Sequence, residues 1–289
     1  MQAGLIIAAA ALTANLAVVL TAIAARREPR DDALRLTLLT RLLRRKLWWA
    51  AAGLDLGGAV LKTAALLVAP LTVVAPAMTL GLFVLVVFAA IWLGERPKPT
   101  GVFGIALIAG GVALVAQNAP EREVTIAGPL PWAISVGVLL GGAASVYLLS
   151  ASGRRVDPRL IAVSVGFAWA LNGLLAKLIA DSIDVGRWLL LSVAIVSAIG
   201  VGALGYLAKT SALQSGRAAM VESIVAVMNT LIPVALAPIL FAEAWPTDPG
   251  SAIQLGSGLL LVGGGVWFVT RVQTTTLERA KAEVEVAKA

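Results

Sequence analysis

The chain has 289 residues, 59% of them hydrophobic and 13% charged, with a mean hydropathy of +0.92, which excludes a water-soluble globular domain. It has no cysteine and no histidine, so a disulfide framework, thiol catalysis and cysteine–histidine metal sites are excluded, and no cofactor is expected. The net charge of +7 lies mostly in short segments between apolar runs, where membrane topology explains it without nucleic acid.

A spanning helix needs about 20 apolar residues. In chain order, runs of that order cover 1–25, 47–69, 70–94, 99–120, 124–153, 160–180, 188–208, 223–242 and 249–270, which predicts an all-α polytopic membrane protein with nine transmembrane helices. The first run has no preceding Lys or Arg and is followed by a basic cluster, which opposes a cleaved signal peptide and favours a retained helix. Segment 31–46 then reads DDALRLTLLTRLLRRK, with Leu36, Leu39 and Leu43 on one helical face. Loop 26–46 is therefore expected either to bind anionic lipid as an amphipathic helix or to serve as a basic topogenic loop.

The second run carries Asp55 and Lys62, seven residues apart and so on one face. An ionised side chain near a bilayer centre costs on the order of 3 kcal/mol, so such residues usually face an interior and handle a ligand, an ion or a proton. Lys62 reads as an anion-binding or snorkelling lysine, and Asp55 as a proton-coupling carboxylate or a counter-ion. Lys177, near the end of the sixth run, stands four residues before Asp181 and can pair with it. Lys209 lies near the inner end of the seventh run, and Glu222 at the start of the eighth, where capping is its plain role. Asn15, Asn172 and Asn229 fall near mid-span, where an amide joins helices or binds a ligand. These eight residues are the candidate substrate-binding set; no metal-ligating or catalytic residue is assigned. Glu95 and Glu243, at span ends, read as structural. Pro76 and Pro233 interrupt their spans, and the many glycines read as helix-packing positions.

Nine spans with the N-terminus outside place nineteen of the 23 Lys and Arg on the cytoplasmic side; only Arg122 and Arg187 fall outside, with Lys62 and Lys177 inside spans. The chain also repeats itself. KTAAL at 62–66 matches KTSAL at 209–213, and the same ungapped offset aligns Val74-Ala75-Pro76 with Val221-Glu222-Ser223. Residues 1–117 form the first repeat, 118–158 a connecting fifth helix with its loops, 159–271 the second repeat and 272–289 a cytoplasmic tail. Counterparts five spans apart run in opposite directions, which gives an inverted repeat of the kind used for alternating access.

KLWWAAA at 46–52, VAPLTVVAP at 68–76, Gly94-Glu95-Arg96-Pro97, GIALIAGGVALVAQ at 104–117 and YLAKTSALQSG at 206–216 together resemble the drug/metabolite transporter superfamily, EamA-like, and within it the NIPA-type magnesium transporter branch and its bacterial relatives. The resemblance covers about residues 45–270. It implies a bacterial inner-membrane transporter, N-terminus outside and C-terminus cytoplasmic. Three positions depart from the branch: Ala59 stands where its members carry Glu, Lys62 where they carry Asn, and Gln214 where they carry Asp. Loss of hard carboxylate ligands and gain of a lysine point away from a divalent cation. The expectation is a non-enzymatic secondary transporter of a small polar or anionic metabolite, with proton coupling as one driving force. Magnesium transport, flipping of a phosphate-bearing lipid and a scaffold without transport are the alternatives. Expected partners are a small-molecule or lipid-linked substrate and membrane lipids, with a homodimer compatible and nucleic acid excluded.

Overall fold

A computed structural model describes residues 2–28, 34, 36–93, 99–118, 122, 124–152, 156–243 and 245–286, the side chains only as far as 268. The motif at 94–97 and the basic residues Arg30, Arg35, Arg154 and Arg155 lie outside the described residues, as do the side chains of Leu36 and Leu39.

All described secondary structure is helical: α1 (Gln2–Ala25), α2 (Leu36–Leu42), α3 (Lys46–Leu66), α4 (Leu71–Met78), α5 (Gly81–Leu93), α6 (Pro99–Gln117), α7 (Pro129–Ala151), α8 (Pro158–Asp184), α9 (Trp188–Ser215), α10 (Ala218–Phe241) and α11 (Pro249–Val286). Among the described residues eight segments are long and apolar enough to cross a membrane, counting α4 and α5 together as 71–93. With α3 as a further 21-residue helix carrying Asp55 and Lys62, the chain is a polytopic membrane protein. Leu5, Val60, Leu148, Leu189, Val196 and Leu260 point outward, as lipid-facing residues do.

Local chemistry sets several boundaries. Asp157 caps α8 by accepting from the Arg159 N–H at 2.7 Å, and Pro158 occupies the first turn, where its missing N–H costs nothing. Asp248 caps α11 by accepting from the Ser251 N–H at 2.9 Å, which holds its carboxyl below the usual range. Helix α4 carries Pro76 inside it and ends at Met78, where the Thr79 hydroxyl donates to the Pro76 carbonyl at 2.5 Å before α5 begins at Gly81. Pro233 does not end α10, which runs through it to Phe241.

Helix ends differ from the hydropathy-based expectation where charge cut an apolar window short. Backbone hydrogen bonding carries α9 to Ser215 rather than 208, and α10 begins at Ala218 rather than 223. Lys209 and Glu222 therefore lie inside helices, not at their ends. Likewise α11 continues past 270 as helix to Val286. Of the predicted apolar face of 31–46, only the Leu43 side chain lies within the described residues. Leu38 and Leu42 are buried with Ala24 and Trp48, while Leu43 is exposed, so α2 turns its apolar side onto α1 and α3.

The closest helix pairings are α6 along α11, α1 along α3 and α8 along α9. Glycine permits the first. A Cβ at Gly111 would stand 2.5 Å from the Gly258 carbonyl oxygen, and one at Gly265 would stand 2.4 Å from that of Gly104. Backbone cannot yield as a side-chain tip can, so Gly111→Val is expected to destabilise the protein by about 1–3 kcal/mol through overpacking. Unfolding of the detergent-solubilised protein in SDS reads this, with Gly110→Val, at a position with nothing within 4 Å, as the neutral control.

Candidate functional site

Two polar networks close the opposite ends of the bundle. At one end Arg122, on the segment joining α6 and α7, donates to the Leu66 carbonyl at 2.7 Å, to Asp181 at 3.0 Å and to Asp184 at 2.5 Å. Lys177, fully buried, binds Asp181 at 2.9 Å and Glu243 at 3.3 Å. Glu243 in turn accepts from the backbone N–H groups of Leu71 and Thr72 at 3.0 and 3.2 Å, filling the orphan donors that begin α4. Ala242 ends α10 in the left-handed conformation, φ 54°, which turns Glu243 back into the bundle. The Lys177–Asp181 pair expected from spacing is present, but Lys177 is enclosed by carboxylates and the Phe241 ring.

At the other end Arg45 pairs with Glu28 at 2.5 Å, Gln214 donates to the Glu28 carbonyl at 3.1 Å, and Arg26 donates to the Gly216 carbonyl at 3.2 Å. Tertiary contact alone assembles this set: Glu28, Arg45 and Gln214 come from three separated parts of the sequence.

Between these ends lie two further groups. Lys209 of α9 stands 3.8 Å from Asp55 of α3 and 3.8 Å from Glu222 of α10, with its ammonium 5.4 Å from the centre of the Trp169 ring. Tyr206, one turn earlier on α9, shares a hydrogen bond of 3.0 Å with Thr21 of α1. Thus Glu222, read from sequence as a cap, reaches another helix instead. Neither Trp169 nor Tyr206 was singled out in the sequence. The i, i+3 spacing of Tyr206 and Lys209 was the available signal for one; Trp169 had none.

Lys62 forms the second group. A helical side chain leans toward the N-terminus of its own helix, so that of Lys62 points away from the Arg122 end and toward mid-depth. Its Nζ lies 3.2 Å from where a Cβ at Gly173 would be, and the Oδ1 of Asn229 lies 3.4 Å from that same point. Gly173 is eleven residues from the end of α8, about 16 Å along the helix. Lys62 therefore does not snorkel outward. Among the described residues it makes no ion pair or hydrogen bond, and Asn229 Oδ1 is buried without a hydrogen-bond partner. Pro233 has no N–H to give the backbone carbonyl of Asn229, four residues earlier. The result is one uncompensated ammonium and one unpartnered amide oxygen converging on Gly173.

The chain is similar to a protein of Arabidopsis thaliana named probable magnesium transporter NIPA9. The two are 25% identical over 246 residues, covering 81% of this chain and 72% of that protein. No family model and no solved structure matches.

The remaining sequence candidates, Asn172 and Asn15, bond to backbone carbonyls. Asn172 donates to the Ala198 carbonyl at 3.0 Å and so joins α8 to α9. Asn15 donates to its own helix at the Ala11 carbonyl, 2.8 Å away, and packs against Gly81 of α5, while its Oδ1 is buried without a hydrogen-bond partner. Among the described residues no group of three His, Cys, Asp or Glu side chains is arranged to hold a metal ion.

Proposed function

We propose that the protein is a secondary transporter that carries a small polar or anionic solute between two inverted repeats, with Lys62 and Asn229 at the solute site. The observation that carries this reading is the half-buried, unpaired ammonium of Lys62 aimed at mid-depth beside the unpaired Asn229 oxygen. An uncompensated charge in such a place is costly, and a bound anion offsets that cost. Asn229 adds carbonyl oxygens that accept from a solute hydroxyl or ammonium, so a solute with both anionic and donor groups satisfies both ends. The pairings of α1 with α3 and of α8 with α9 support the repeat, since these are the counterparts the internal alignment matches. Ionic closure at both ends of the bundle supports alternating access, because each set of contacts can open while the other holds. In this reading the protein sits in a bacterial inner membrane with the Arg122 end outside the cell, an orientation that the basic-residue count supports.

The name of the plant relative favours a second reading, magnesium transport. Asp55 and Glu222 supply two of the hard oxygen groups that such an ion needs, but Lys209 stands between them.

Proteoliposomes separate the two readings. Labelled phosphate, a monocarboxylate, a zwitterionic amino acid and magnesium are offered in turn. Saturable uptake of one of the first three is expected, with its affinity falling about tenfold or more in Lys62→Gln as a charge-assisted hydrogen bond of roughly 1.5–3 kcal/mol is lost. Magnesium flux that rises on neutralising Lys62 would overturn the anion reading in favour of the cation. Unchanged solute affinity in Lys62→Gln would move the site elsewhere.

A further inference from the structure

Asp55 and Lys62 stand seven residues apart on α3, and Glu222 and Asn229 stand seven apart on α10. Each helix thus gives one residue to the Lys62 group and another, two turns away, to the Lys209 group. The two groups are stacked along the same pair of helices, about 10 Å apart.

The Lys209 group has a different chemistry from the Lys62 group. Lys209 is buried, with a side-chain exposure of 4%, while Asp55 and Glu222 are partly buried at 19% and 15%. One cation lies between two carboxylates, so the fully ionised set carries one net negative charge. Both separations are 3.8 Å, beyond hydrogen-bond reach, and Glu222 Oε2 is buried without a hydrogen-bond partner. Nearby groups do not relieve this. Among the described residues the charged side chains acting on Glu222 are Lys209 on α9 and Asp55 on α3; Tyr206 on α9 neighbours those two, α8 presents Trp169 to Lys209, and Thr21 of α1 already holds the Tyr206 hydroxyl. In the internal alignment Lys62 is the counterpart of Lys209, but Ala75 stands where the second half has Glu222, and Gly202 where the first has Asp55. The repeat thus leaves one lysine uncompensated and over-compensates the other by one charge.

We propose that Asp55, Lys209 and Glu222 form a proton-binding site distinct from the Lys62 site, in which Glu222 takes up the proton and Lys209 is a fixed cation. A carboxylate oxygen of Glu222 forms an O–H bond with a proton from hydronium, water is released, and the group passes from one net negative charge to none. Lys209 then pairs with Asp55 alone, and the ionic hold of α9 on α10 is gone. Because α10 also carries Asn229, proton occupancy biases the helix that lines the solute site. This assignment rests on the transport reading for its purpose, but not for its test.

Trp169 is a built-in reporter. The full chain in phosphatidylcholine nanodiscs is titrated from mildly acidic to mildly alkaline pH, and the emission of Trp169→Phe is subtracted from that of the unmodified protein. One transition is expected in the difference signal, unchanged when sodium replaces potassium, lost in Glu222→Gln and retained with a displaced midpoint in Asp55→Asn. No transition in the unmodified protein, or one that survives in Glu222→Gln, overturns the proposal and leaves a static ion cluster. A saturable response to sodium at constant pH overturns it in favour of an alkali-cation site. Failure of the solute reading looks different: solute affinity is then unchanged in Lys62→Gln while the Trp169 transition persists.

Discussion

Glu243→Ala is expected to destabilise the protein by about 3–5 kcal/mol, the cost of breaking a fully buried ion pair by deleting one partner. Three losses coincide. Lys177, with no exposed surface, loses one of its carboxylate partners and shares Asp181 with Arg122. The Leu71 and Thr72 N–H groups, whose bonds to it are buried, lose the carboxylate that accepts from them. The positive end of the α4 dipole loses its compensating charge. Glu243→Gln keeps an acceptor oxygen while removing the charge, so it should fall between alanine and the unmodified protein. SDS-unfolding equilibria measure all three. Indistinguishable curves would mean that the Arg122 end is hydrated and the network contributes little.

Lys209→Met should have an effect of similar size, about 3–5 kcal/mol, because it leaves Asp55 and Glu222 facing each other without the cation between them. Methionine preserves the length and apolar stem, so lost packing is a small part of the change. Two signatures identify the cause as charge. The deficit narrows at acidic pH, where a carboxylate takes up a proton and the repulsion disappears. It also narrows in the double variant Lys209→Met with Glu222→Gln, which removes one of the opposed charges; the coupling between the two substitutions is then read as a double-mutant cycle. A deficit that is the same at every pH and additive with Glu222→Gln would assign the loss to packing against Trp169.

The sequence alone determined that the chain is a polytopic helical membrane protein, because a run of about 20 apolar residues is a local signal that needs no knowledge of neighbours. Asp55 and Lys62 were legible as exceptional for the same reason: a charge inside such a run stands out wherever the helix packs. Spacing also gave the Lys177–Asp181 pair, since an i, i+4 relation is fixed by the helix itself. Tertiary structure alone decided the rest. Whether Lys209 meets Asp55, or Lys62 and Asn229 converge on Gly173, depends on how each helix is rotated about its axis, and spans that are apolar on nearly every face carry almost no periodic signal of that rotation. The same ambiguity hid the burial of Leu38 and Leu42 of α2, which cluster with Ala24 of α1 and Trp48 of α3. Depth was hidden too. Hydropathy stops at a charge, whereas backbone hydrogen bonding carries α9 past Lys209 to Ser215 and starts α10 before Glu222, placing both charges inside the bundle, where each finds a partner on another helix.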